Sequence, residues 1–193
     1  MTQQNHEAPS SPPPAPFPIP HHHPVVITGF MAAGKTTIAR ELARVLGHEF
    51  IDLDDVIIQQ HSRSISDIID NDGRARFRQV ETDALRGTLA LNPRAVIALG
   101  GGTWTISRNR DLIKRRRCIS VWLDAPFEAC WARILESTVT RPFARDHHAA
   151  AALYEKRRGD YAAAGIHIRL DGSESAEDTV KAILDRIISE QGV

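Results

Sequence analysis

The chain has 193 residues, 42% of them apolar and 25% charged, which suits one ordinary globular domain with a sizeable core. Its formal net charge is zero, so no electrostatic argument favours nucleic acid or an anionic membrane surface as partner. Two cysteines without metal spacing, no bilayer-length apolar run and no charged-then-apolar leader lead us to expect a soluble, cytoplasmic, monomeric protein.

In chain order, residues 1–24 come first and hold eight of the 11 prolines. Such a segment offers few hydrogen-bond donors and little to bury, so a disordered tail is predicted there and a domain over 25–193. The triplet His21-His22-His23 reads as part of that tail rather than as a metal site. From Val25 onward, short apolar runs alternate with helical periodicity. The predicted strands are 25–28, 49–53, 95–99, 119–123 and 166–170. The predicted helices are 35–46, 54–61, 65–70, 73–91, 107–116, 126–136, 149–163 and 175–190. Gly47 is a natural C-terminal stop, and Ser64-Ile65-Ser66-Asp67 resembles a capped start with Asp in place of Glu or Gln. This alternation means an α/β fold with helices packed on a parallel sheet. Residues 137–148 lack periodicity, carry Pro142 and are expected to form an exposed lid loop.

The first strand runs into Gly29-Phe30-Met31-Ala32-Ala33-Gly34-Lys35-Thr36, the pattern Gly, four residues, Gly-Lys-Thr. Glycines let the backbone turn tightly and aim its N–H groups at phosphate oxygens. The helix that follows adds unpaired N–H groups and the positive end of its dipole. Lys35 is suited to the β- and γ-phosphates, and the Thr36 hydroxyl to Mg²⁺. The flanking strand and helix supply the context that this motif needs, so it binds a nucleoside triphosphate.

The acceptor must be sought at later strand ends, where ligands sit in such sheets. The second strand ends in "FIDLDD", which places Asp52 and Asp54 two apart and so on the same side of an extended chain. They read equally as a pair dividing metal and hydroxyl chemistry or as a helix N-cap at Asp54 or Asp55. Gly100-Gly101-Gly102 follows the third strand, where backbone must come close to a ligand or a loop is flexible. Arg74, Arg78 and Glu81 share one helix face; taken alone they suit a surface ion-pair face. Arg141 lies in the expected lid, and Arg157 and Arg158 on a late helix.

Taken together, "GFMAAGKTT", "DLD", "FRxxE" at 77–81, "GGG", "RP" and a late arginine-tyrosine helix resemble the shikimate kinase family in order and spacing. The resemblance covers nearly all of residues 25–190. It implies a three-layer P-loop kinase fold with a five-stranded parallel sheet, order 2-3-1-4-5, and a closing lid. It implies phosphoryl transfer from ATP, with Mg²⁺, to the 3-hydroxyl of shikimate in aromatic amino-acid biosynthesis. Carried over, Ala32, Ala33, Gly34, Lys35, Thr36 and Thr37 bind ATP, with Arg141 reaching its phosphates from the lid. Thr36 and, through water, Asp52 hold Mg²⁺, while Asp54 bonds the acceptor hydroxyl and takes its proton. Arg78 and Arg157 grip the shikimate carboxylate, with the Gly101 backbone beside a hydroxyl. Lys35, Asp54 and Arg141 are the catalytic set. Ala32 stands where the family usually has Gly, Thr36 where it has Ser, and "RRGDY" where Pro commonly precedes Tyr, so Arg158 stays an alternative to Arg157. Adenine is placed by position alone at the 171–176 turn. A related small-molecule kinase such as a gluconate kinase, or a nucleotide-binding module without catalysis, are the competing readings.

Overall fold

Five short strands occupy the middle of the molecule, which a computed structural model describes over residues 23–137 and 146–190. They are β1 (Val25–Gly29), β2 (Glu49–Asp52), β3 (Ala95–Ala98), β4 (Ile119–Asp124) and β5 (Ile166–Arg169). All pair in parallel, in the order β2-β3-β1-β4-β5. The helices between and after them are α1 (Lys35–Leu46), α2 (Leu53–His61), α3 (Ile65–Leu91), α4 (Ser107–Arg115), α5 (Phe127–Glu136), α6 (His147–Tyr161) and α7 (Ala176–Glu190). Every residue of β1 is buried, and Val26 pairs with Ile97 on one side and Ser120 on the other. A parallel strand covered on both faces must be apolar throughout, which is why "VVITG" reads as a run rather than an alternation. Because β1 lies between β3 and β4, the chain crosses it after β3, and the crevice at the strand ends opens there.

The punctuation residues act as expected. Gly47 closes α1 at φ 64°, its N–H returning to Ala43 and Arg44 carbonyls. Ser64 caps α3 reciprocally with Asp67, so the shorter Asp completes the box. The helices expected at 65–70 and 73–91 are one element broken at Gly73, whose φ 84° and ψ 160° are non-helical.

Several boundaries shift for local reasons. Leu53 belongs to α2 rather than β2, because the Asp52 side chain accepts the Asp54 N–H and caps the helix there. Leu99 and Leu170 lie beyond their strands, and Asp124 joins β4. Asp146 accepts the Ala149 N–H at 2.8 Å, so His147 and His148, assigned to the loop, are helical. Pro24, counted with the tail, is buried and accepts the Ile119 N–H at 2.9 Å. Residues 138–145, with Arg141, and the tail up to residue 22 lie outside the described residues. Among the described residues, no helix is long and apolar enough to cross a membrane.

Candidate active site

The turn from β1 to α1 is built from backbone conformation. Gly29 sits at φ 142° with a Cβ position only 2.7 Å from the Leu123 carbonyl oxygen, so no larger residue fits. Ala32 adopts the left-handed φ of 59° that its usual glycine counterpart would take without strain. Ala33 N–H donates to the Phe30 carbonyl at 3.2 Å and closes the turn. Gly34, at φ 92°, is the N-cap of α1 and has no side chain to spend on the first amides. The first turn of α1 therefore brings its backbone N–H groups and the positive end of its dipole to this turn, where anionic oxygen is favoured. Lys35 Nζ folds onto the Phe30 carbonyl at 2.8 Å.

Beside this turn lie the two aspartates. Thr36 Oγ1 donates to Asp52 Oδ2 at 2.8 Å, while Asp52 Oδ1 accepts the Asp54 N–H at 3.0 Å. The cap is thus Asp52, neither Asp54 nor Asp55. The two carboxylates reach one cleft across a strand-to-helix junction rather than along an extended strand, which corrects the geometric argument. The cleft, about 370 Å³, is lined among others by Lys35, Thr36, Asp52, Asp54, Gly101 and Arg133. Burial, reinforced by the negative charges of Asp52 and Glu81, pushes the Asp54 carboxyl up to about 7, against the pull of Lys35.

The triple glycine meets three different side chains, and this decides its meaning. A Cβ on Gly100 would lie 2.7 Å from Asp54 Oδ1. One on Gly101 would lie 3.5 Å from Arg157 Nη1, and one on Gly102 would collide with the Arg78 guanidinium. The loop is therefore a close-packed floor, with one site residue over each glycine. Arg78 lies over the Phe77 ring at 5.7 Å and pairs with the buried Glu81, whose other oxygen accepts from Thr103 at 2.7 Å. The surface ion-pair alternative fails because Glu81 is not on the surface. Arg74 is exposed.

Arg157 and Arg158 meet different surroundings. Arg157 is only 7% exposed; burial pulls its guanidinium below the ordinary range and nearby Arg78 does the same, while Tyr161 opposes both. The Tyr161 hydroxyl, pushed up to about 12 by burial, donates to the Gly101 carbonyl at 2.5 Å. Arg158 instead pairs with Asp124 at 3.2 Å, and His167 shares that carboxylate at 2.9 Å while stacking on Trp122. Arg133, which no motif marked, donates to the Gly172 carbonyl at 3.0 Å and to the Ala32 carbonyl at 3.4 Å. It joins the phosphate turn to the 171–176 turn.

A parallel sheet of this order, with a Gly-Lys-Thr turn at its crevice and carboxylate and guanidinium groups beyond, defines a P-loop small-molecule kinase. The family model for shikimate kinase matches residues 31–188. The shikimate kinase of Geobacter sulfurreducens is 39% identical over 162 residues, covering 82% of this chain and 87% of the relative. That of Synechococcus elongatus is 37% identical over 166 residues, covering 84% and 85%. The structure of the Acinetobacter baumannii shikimate kinase in complex with shikimate superposes with a TM-score of 0.83 at 31% identity, covering 89% of this chain and 96% of that one. The chain belongs to the shikimate kinase family.

Proposed function

We propose that the chain transfers the γ-phosphoryl group of ATP to the 3-hydroxyl of shikimate, in the route to aromatic amino acids. The observation that carries this reading is the floor of three glycines with Asp54, Arg157 and Arg78 above it, open to the phosphate turn. Two guanidiniums near one another, one of them buried, make an electrostatic hole that a carboxylate fills. Asp54 beside them is suited to an acceptor hydroxyl. A substrate with one carboxylate and a hydroxyl ring uses all three groups.

The division of labour follows from position. The amides of the 32–37 turn and Lys35 hold the phosphates. Thr36 and Asp52 present a hydroxyl and a carboxylate oxygen 2.8 Å apart, the hard oxygen donors that Mg²⁺ takes, so the pair fits that ion. Held there, Mg²⁺ would supply positive charge against the phosphate oxygens. Arg78 and Arg157 fix the ring by its carboxylate, and the Gly101 backbone meets a ring hydroxyl. Asp54, its carboxyl raised by burial, orients the 3-hydroxyl and accepts its proton as the new oxygen–phosphorus bond forms and the bond from the γ-phosphorus to the β–γ bridging oxygen breaks, releasing ADP. Arg141, outside the described residues, takes charge on the transferring group. We place this activity in the cytoplasm and in a monomer.

The test is ADP release measured in parallel with shikimate, gluconate and no acceptor. Release that depends on shikimate alone is the expected result. Equal or greater release with gluconate would reassign the acceptor, and ATP binding without turnover of either would remove catalysis.

A further inference from the structure

Thr103 is completely buried, and its hydroxyl donates to Glu81 Oε1 at 2.7 Å. Glu81 Oε2 accepts from Arg78 Nη1, and the Glu81 side chain is 2% exposed. A buried carboxylate must have both oxygens satisfied, so what occupies Oε1 decides how Arg78 is held. Thr103 itself is fixed on both sides. Its N–H donates to the Gly100 carbonyl at 3.0 Å, and its carbonyl accepts from buried Asn109 Nδ2 at 2.9 Å. The next residue, Trp104, donates from Nε1 to the Asp160 carbonyl at 2.8 Å and so ties the same loop to α6, which carries Arg157.

We infer that Thr103 is a positioning residue for the carboxylate fork: its hydroxyl on Glu81 Oε1 fixes the orientation of the carboxylate on which the Arg78 guanidinium is held. Without the hydroxyl, Glu81 Oε1 is left buried and unsatisfied. The carboxylate then turns, and the guanidinium held on it turns with it. The fork above Gly102 is lost to shikimate while the phosphate turn, on another strand end, is unchanged. This inference rests on the reading of Arg78 as a carboxylate ligand.

The test is a cycle of calorimetric dissociation constants for shikimate and ATP. It uses the full chain as wild type, Thr103→Val, Thr103→Ser, Arg78→Ala and the Thr103→Val/Arg78→Ala double variant. Thr103→Val should weaken shikimate about tenfold, the scale of one hydrogen bond to a charged group, and leave ATP within about twofold. Thr103→Ser should restore binding. In the Arg78→Ala background, Thr103→Val should cost nothing further, because it acts through that side chain. Thr103→Ala takes the place of valine in the same cycle should the valine variant not fold. Equal losses in both backgrounds, a matching loss for ATP, or no loss at all would overturn the inference. A strong Arg78→Ala effect beside any of these would overturn it alone, whereas an Arg78→Ala variant that keeps full shikimate affinity would remove the carboxylate reading as well.

Discussion

Asp54 is a residue whose chemistry the fold alters strongly. Its carboxyl is raised because burial, then Asp52 and Glu81, penalise the charge. The folded state therefore binds this proton more tightly than the unfolded chain does. The penalty is absent below the unfolded value near 4 and grows as pH rises toward about 7. Asp54→Asn, which mimics the neutral form, should abolish turnover and match wild-type melting temperature at about pH 4. It should melt higher than wild type at pH 8, because only the wild type then holds a buried charge. Melting curves across that range, without nucleotide, check the sign; a variant less stable at pH 8 would contradict it. At Gly102, a methyl group collides with the Arg78 guanidinium, so Gly102→Ala should weaken shikimate about tenfold or more and leave ATP nearly unchanged. Apparent affinities for both substrates check this. Arg78, Asp54 and Gly101 were legible because they stand in spaced motifs. Thr103 and Arg133 were not, since one hydroxyl and one arginine reach their partners over 22 and 101 residues of chain.

At the scale of elements, α3 shows what local chemistry specifies. Ser64 and Asp67 fix its start, and Gly73 breaks it between a short first segment and the long helix carrying Arg78 and Glu81. Arg63 braces the short segment from outside, with nitrogens on Asp72 at 2.8 and 3.2 Å and on the Asp67 carbonyl at 2.9 Å. A φ of 84° with ψ of 160° is open to glycine almost alone, so Gly73→Ala should cost about 1–3 kcal/mol in denaturant unfolding, although a Cβ there meets nothing. Loss of less than half a kcal/mol would mean the break is not enforced by the backbone. The element pattern could be read in advance because most of these helices begin or end on a residue with a defined backbone preference, such as Gly47, Asp52, Ser64 and Asp146. The β2–α2 junction misled, because an Asp that ends a strand and an Asp that caps a helix look alike until Asp52 Oδ1 is seen accepting the Asp54 N–H.

For the whole molecule, periodicity predicts five strands and a parallel sheet, but not the order in which they lie. That order came from the resemblance, and the pairing of β1 with both β3 and β4 bears it out. The order matters because it brings β1, β2 and β3 ends together, and with them the phosphate turn, Asp54 and the glycine floor. Trp104, Arg110 and Tyr161 then tie that floor to α6. On the proposed function, this assembly grips a carboxylate with one fork from α3 and one from α6. The most direct measurement is shikimate affinity in Arg157→Ala and Arg158→Ala side by side. They are sequence neighbours with opposite surroundings, one over Gly101 and one on Asp124. Arg157→Ala should lose roughly 2–5 kcal/mol of shikimate binding, about 30-fold to several-thousand-fold, and Arg158→Ala should stay within about twofold of wild type. Equal effects, or the larger loss at Arg158, would contradict it.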